Sequence, residues 1–480
     1  MDKKINILIT LIISATLPSC NDWLEVSPKS QIEEDDQFSR ESGFRDELTG
    51  VYTAMCSEDM YGLNMGIGFV EVLSHSYDVD EEGIWRYAAD YDYENTSSET
   101  TISTIWSSTY NCIANLNLVI ENIEEKDSTF FTDNNYFLCK GEAYGLRAFL
   151  HFELMRLFAS APVMSTTDNG VPYVDAYSTN VVGQKSISAT MQLIIDDLLT
   201  AREALEHDSL KISATPYNER ADRIPYFNYY AATLTLARAY LWIGDTDNAL
   251  KYANEIVEVG ESDALSTPFS FTHYTEMESS TLYEVNLTFS NEHIFRLIID
   301  DWEDIGNFYF TSSGGTSALT PSESTAQDIY ELSAGYGNDW RYLRGYEQDG
   351  SERYMCKFWY VDGSSYNNLY PLLRMTEGFY IAAECLKESD PERAIDLLNE
   401  VRDARNLSLF PLDYSLSTDE IQEEIYKEYR KEFVGEAGQL FFYYKRVNST
   451  EIKNSGTTPN KSIYVLPIPS NDQEFGGYSN

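Results

Sequence analysis

Apolar residues recur at intervals of three and four along much of the chain, the period of helices with one buried face. Trp106, Tyr110, Ile113, Asn117 and Ile120 mark such a face, with one polar interruption, and predict a helix over Ser103 to Ile123. The next segment, Tyr136 to Phe158, is apolar on nearly every side, through Tyr144, Leu146, Phe149, Leu150, Phe152, Leu154 and Leu157. A helix of that kind must be enclosed by others. Ile187 to Leu205 predicts a third helix with Arg and acidic residues outward. Tyr226 to Ile243 and Thr246 to Val259 predict a fourth and fifth, broken at Gly244.

The small residues of that last pair carry further information. Ala237, Tyr240, Gly244 and Ala249 occupy the small, large, turn and small positions of a tetratricopeptide hairpin, so two helices can approach closely at the alanines. Ala382 and Ala394 repeat the separation across the turn KESDPER, where Pro391 opens the second helix. Two matching hairpins far apart predict a mainly α, tetratricopeptide-like helical-repeat scaffold with large irregular and short-strand insertions, notably 60–100 and 286–370. Insertions are where function is usually grafted. Within them, Asn286 to Asp301 and Arg353 to Val361 alternate as short strands do, and Gly306 to Ser324, rich in Ser, Thr and Gly, predicts a loop. Ser160 to Gln184 is an irregular linker with Pro162, Gly170 and Pro172.

The N-terminus has a different pattern. The apolar run Ile5 to Leu17 follows Lys3 and Lys4 and is shorter than the roughly 20 residues a spanning helix needs. It predicts a secretory signal. The run ends in Leu17, Pro18, Ser19 and Cys20, which looks like a bacterial lipobox, with Pro18 as its departure. Residues 1–19 are then the lipoprotein signal peptide, Cys20 carries lipid, and 20–480 form the mature domain.

Charge narrows the partners. The 480 residues carry 34 basic and 78 acidic side chains, a formal charge of −44, so the average surface repels nucleic acid. Aromatic residues make up 14% of the chain, led by 36 tyrosines, which suits surfaces that stack on flat ligands. Cys56, Cys112, Cys139, Cys356 and Cys385 form neither a disulfide framework nor a zinc pattern and predict buried free thiols. No nucleophile elbow, zinc-binding helix or phosphate loop is present. His151, on the apolar helix, predicts a satisfied core histidine, and a non-enzymatic protein is expected. Asp78, Asp80, Glu82 and Gly83 partly imitate the start of a calcium loop, but position twelve is Ala89 where a bidentate acid should close it. No cofactor is expected, and calcium stays the weaker alternative to a solvated acidic loop.

After Cys20 the chain reads DWLEVSPKS, then GEAYGLRAFLHFELMRLFASAPVM (141–164), LLRMTEGFYIAAEC (372–385), AIDLLNEVRDARNL (394–407) and YVLPIPSNDQEF (464–475). In that order these segments resemble the RagB/SusD family of nutrient-uptake outer-membrane lipoproteins. RKEFVGEAGQLFFYYKR (430–446) matches the late family motif in part, departing from it at Glu436, Ala437, Gln439 and Tyr443. The resemblance implies a tetratricopeptide-like scaffold, lipid-anchored and surface-exposed on the outer membrane. It also implies that the protein captures oligosaccharides and passes them to a SusC-like, TonB-dependent barrel. A peptide or other nutrient as ligand, and a scaffold whose partner is solely protein, are the alternatives.

The family's ligand surface is expected in the insertions. Trp23 lies beside the anchor, Trp106 and Trp242 on helix core faces, Trp340 in NDWRY and Trp359 in a predicted strand, which leaves Trp85 and Trp302 as the sugar platforms. Tyr87 and Tyr309 are second choices, with Asp80 and Asn307 as hydroxyl partners. On this reading Trp302→Ala weakens glycan binding about tenfold and leaves the melting temperature alone.

Overall fold

The computed structural model describes residues 36–212, 223–262, 267–350 and 352–479. The predicted signal and Cys20 lie outside these residues. Two compact units are distinguished, Met1–Arg45 and Asp46–Asn480. In the described part of the first, Phe38 and Phe44 meet edge to face at 4.8 Å.

Helix α1 (Glu41–Met55) is followed by α2 (Thr96–Glu124), α3 (Asn135–Phe158), α4 (Ile187–Ala204), α5 (Tyr229–Ile243) and α6 (Thr246–Gly260). Strand β1 (His293–Ile298), helix α7 (Trp302–Tyr309), the hairpin β2 (Tyr346–Asp349) and β3 (Glu352–Met355), and β4 (Leu369–Arg374) form the long insertion. Then come α8 (Met375–Leu386), α9 (Pro391–Ala404), α10 (Thr418–Glu432) and α11 (Gln439–Arg446). From α2 to α6 and again from α8 to α11 each helix packs on the next in line, and α6 packs directly on α8 across the insertion. The mainly helical repeat scaffold expected from the sequence is therefore continuous in space though interrupted in the chain.

Local chemistry fixes the hairpins. Asn228 caps α5 by accepting from the Ala231 amide; Gly244, at φ +80°, turns the chain out of it, and Asp245 caps α6. Left-handed backbone of this kind favours glycine. In the second hairpin Asp390 caps α9, and Pro391 takes the first helical turn, where its missing N–H costs nothing. Ala237, Ala249, Ala382 and Ala394 are fully buried. At the α6–α8 contact a Cβ on Gly378 would stand 2.8 Å from Ile256, so hydrogen is all that fits there.

The insertion departs from its predicted outline. β1 is a strand only over His293–Ile298, pairing antiparallel with β4. β4 was not legible because Pro371 stands in it; its partner is Arg296, at the edge where a missing donor is tolerated. The strand predicted from Arg353 ends at Met355, where the Cys356 amide turns back to the Gly345 carbonyl. The predicted loop Gly306 to Ser324 instead holds the end of α7, a tight turn over Ser312–Ser317 and the start of the helix Glu323–Ile329.

Buried charges join insertion to scaffold. Arg341, Arg374 and Arg405 all donate to the Glu432 carboxylate, at 2.8, 2.5 and 2.6 Å. Glu428 receives Arg341, Arg402 and Lys431, and Arg405 also holds Glu292. Burial alone would raise the Glu428 carboxyl; Lys431, Arg341 and Arg402 override it and hold that group well below the usual carboxylate range. In the partly matching late motif, Glu436 binds Arg374 and Lys357, so this segment is part of the frame.

His151 and three of the five cysteines lie as expected. His151 accepts from the Val174 amide at Nε2, so its Nδ1 carries the proton and donates to the Arg147 carbonyl. Cys112, Cys139 and Cys356 are buried free thiols, while Cys56 and Cys385 are only half-buried. No helix among the described residues is long and apolar enough to cross a membrane.

Candidate functional site

Two insertion loops, 78–90 and 306–322, are clasped together. The Asp78 amide donates to the Thr320 carbonyl at 3.1 Å, and the Asp78 carboxylate accepts the Ser322 amide at 2.6 Å. Gly83 lies so close to the second loop that a Cβ there would stand 2.2 Å from the Thr316 carbonyl oxygen. Two residues on, the Trp85 indole donates to the Ser317 carbonyl at 3.0 Å, and its ring leans on Tyr309 at 5.7 Å. The clasp holds a tryptophan inside and turns its neighbours outward.

Those neighbours make the surface. Arg86 lies over the Tyr87 ring at 4.4 Å and donates to the Tyr87 hydroxyl. Tyr87 and Tyr309 are half-buried, Ile84 is 55% exposed and Phe308 43% exposed. Burial, with the Glu58 carboxylate nearby, raises the Tyr309 hydroxyl above its usual pKa and keeps it a neutral donor. The patch offers aromatic edges and faces, one guanidinium and two phenols: groups that bind a flat or hydroxylated ligand by contact and hydrogen bonding.

Both tryptophan assignments change. Trp302 is 2% exposed; its indole donates to the Phe358 carbonyl at 2.9 Å, and its ring packs on Phe358 at 5.8 Å and Tyr370 at 5.4 Å. It is a packing residue, because the inward face of α7 meets the turn at Phe358 so closely that a Cβ on Gly306 would stand 2.2 Å from the Phe358 oxygen. Trp85 is 6% exposed and serves as the rivet between the loops. Asp80 accepts the Glu82 amide at 2.8 Å and holds its own turn, while Asn307 accepts the Tyr360 amide at 3.1 Å and ties α7 to the segment after β3. Tyr87 and Tyr309 are the predicted residues left facing outward. Trp340 packs with Met277, Val285 and Phe289, and Trp359 donates to the Phe310 carbonyl at 2.6 Å.

The acidic loop likewise spends its oxygens on backbone. Asp78 caps the turn at Ser322, Asp80 the turn at Glu82, and among the described residues no three His, Cys, Asp or Glu converge as metal ligands. Arg86, Ile84 and Phe308 were missed by sequence reasoning. Their one signal was adjacency to the chosen aromatics, since the clasp that turns them outward joins residues more than 200 apart in sequence.

Comparison with known proteins agrees with this architecture. Residues 22–241 match the family described as "Starch-binding associating with outer membrane", and residues 354–474 match the SusD family. A SusD-like protein of Formosa agariphila is 23% identical over 97% of this chain and 96% of its own length. A second from the same organism is 22% identical over 97% and 96%. Among solved structures, a SusD-like carbohydrate binding protein from Bacteroides vulgatus superposes with a TM-score of 0.70 at 17% identity, covering 91% of this chain and 96% of that one. A SusD superfamily protein from Bacteroides thetaiotaomicron gives 0.66 at 20%, covering 91% and 98%. At such identities the structural likeness shows a shared fold.

Proposed function

We propose, from the premise that this chain belongs to the RagB/SusD family, that it is a non-catalytic glycan-binding lipoprotein of the outer membrane. A lipid on Cys20 tethers it. Oligosaccharides are captured on the clasped-loop surface and passed to a SusC-like, TonB-dependent barrel. The observation that carries the reading is the Trp85–Tyr309 contact, which seats Tyr309 of one insertion against the segment that bears Arg86 and Tyr87 of the other. Such a platform needs no cofactor: apolar sugar faces pack on the rings while Arg86 and the phenols meet hydroxyls. Carbohydrate binding by the family and by the Bacteroides vulgatus relative supports the ligand class.

A glycan array probed with the soluble chain from residue 21 tests the reading, followed by calorimetry on the hits. Tyr309→Ala and Tyr87→Ala are expected to weaken binding about tenfold each, a loss of roughly 1.4 kcal/mol. An array without hits, or hits indifferent to both substitutions, would refute it.

A further inference from the structure

A second concave surface lies beside the N-terminal end of α7. A cleft of about 440 Å³ opens between the second half of α1, the segment at Pro225 and Tyr226, and the end of β1. Its walls include Thr53, Ser57, Tyr226, Ile298, Asp300 and Asp301. Tyr226 is 40% exposed and Ile298 46% exposed, so the cleft presents apolar surface to a ligand. Tyr226 is nonetheless held: its ring meets Tyr52 edge-on at 5.4 Å, and the Arg223 guanidinium lies 5.4 Å from its centroid. Arg223 is itself neutralised by Glu142 and Asp208, so it braces the ring and does not supply a free charge.

The polar groups are arranged as acceptors. The Thr53 and Ser57 hydroxyls donate to the helix carbonyls of Thr49 and Ala54, at 2.9 and 2.7 Å, which leaves their oxygens to accept from a ligand O–H. Asp300 and Asp301 are exposed, and their carboxylates have no salt bridge or hydrogen-bond partner among the described residues. A fixed aromatic ring, an aliphatic patch, hydroxyl acceptors and two open carboxylates suit a neutral, polyhydroxylated chain. The carboxylates repel uronic or sulfated ones.

The cleft and the clasped loops are neighbours. Asp300 and Asp301 immediately precede α7, and Tyr309 ends it; eight residues at about 1.5 Å each separate them by roughly 12 Å. Along the other side Ser57 lines the cleft while the next residue, Glu58, acts on the Tyr309 hydroxyl. We propose that this cleft is a second saccharide subsite, which takes the far portion of a neutral oligosaccharide whose other end lies on the Tyr87–Tyr309 surface. The inference rests on the glycan-binding reading above and adds a length requirement to it.

The test uses an array of neutral oligosaccharides graded from disaccharides to long chains. It is read with the wild type, Tyr226→Ala, Thr53→Trp, which fills the cleft from an exposed helix position, and Tyr309→Ala. Wild-type affinity should rise with chain length. Tyr226→Ala and Thr53→Trp should reduce long-chain affinity about tenfold, towards that of short chains, and leave short-chain binding and the melting temperature of Thr53→Trp unchanged. Tyr309→Ala should weaken both. Long-chain binding that survives both cleft substitutions, or short-chain binding lost along with it, overturns the subsite while leaving the glycan reading intact. Absence of binding to every glycan overturns both.

Discussion

Replacing Trp302 separates a platform from a packing residue. The indole is almost wholly enclosed by Phe358 and Tyr370, and its N–H is satisfied by the Phe358 carbonyl. Truncation to alanine leaves a cavity, and buried Trp→Ala changes cost about 3–5 kcal/mol. Leaving the Phe358 oxygen without its donor adds about 1 kcal/mol or more, so the expected total is about 4–6 kcal/mol. Unfolding entropy of about 2.1 cal/mol/K per residue gives about 1 kcal/mol/K for a chain of 480 residues. The melting temperature should then fall by about 4–6 °C. Trp302→Phe, which keeps most of the ring packing and loses the N–H bond, should fall by about a fifth as much. Scanning calorimetry reads both values, and the folded Trp302→Ala protein should hold glycan within about threefold of the wild type, because the ring does not reach the Tyr87–Tyr309 surface. An unchanged melting temperature together with lost binding would mean that the indole faces ligand and that the packing argument is wrong.

Glu432→Gln removes the carboxylate that three guanidiniums share and should destabilise by about 3–5 kcal/mol, since Arg341, Arg374 and Arg405 stay buried; wild-type denaturation would contradict the network's role. His151 is buried, and burial pushes its pKa down to about 3 against an ordinary 6.5. The stability it supports is therefore full above about pH 6.5 and is lost as pH falls towards 3, by up to about 1.4 kcal/mol per pH unit. Urea midpoints between about pH 7.5 and 5 should drop less in His151→Gln than in the wild type; parallel slopes would show the ring is not the titrating group. Cys20→Ala should release the full-length protein from membrane fractions and abolish acyl labelling, and persistent labelling would refute the anchor.

Much of the scaffold was legible because helix formation is local. The three- and four-residue period over Trp106 to Ile120, the all-apolar Tyr136 to Phe158, and the turn chemistry of Gly244 and Asp390-Pro391 state their elements without reference to the rest of the chain. Segment order also carried the family resemblance. What the sequence could not state depends on contacts between distant residues. Strand β4 exists because β1 offers it a partner, despite Pro371. Trp85 and Trp302 looked alike, each an aromatic in an acidic insertion. Their burial follows from carbonyls at Ser317 and Phe358, 232 and 56 residues away, that accept the indole protons. The same clasp turns Arg86 and Tyr87 to solvent. An aromatic in a loop becomes a rivet or a binding face according to which backbone meets its N–H, and only the packing of one insertion on another decides that.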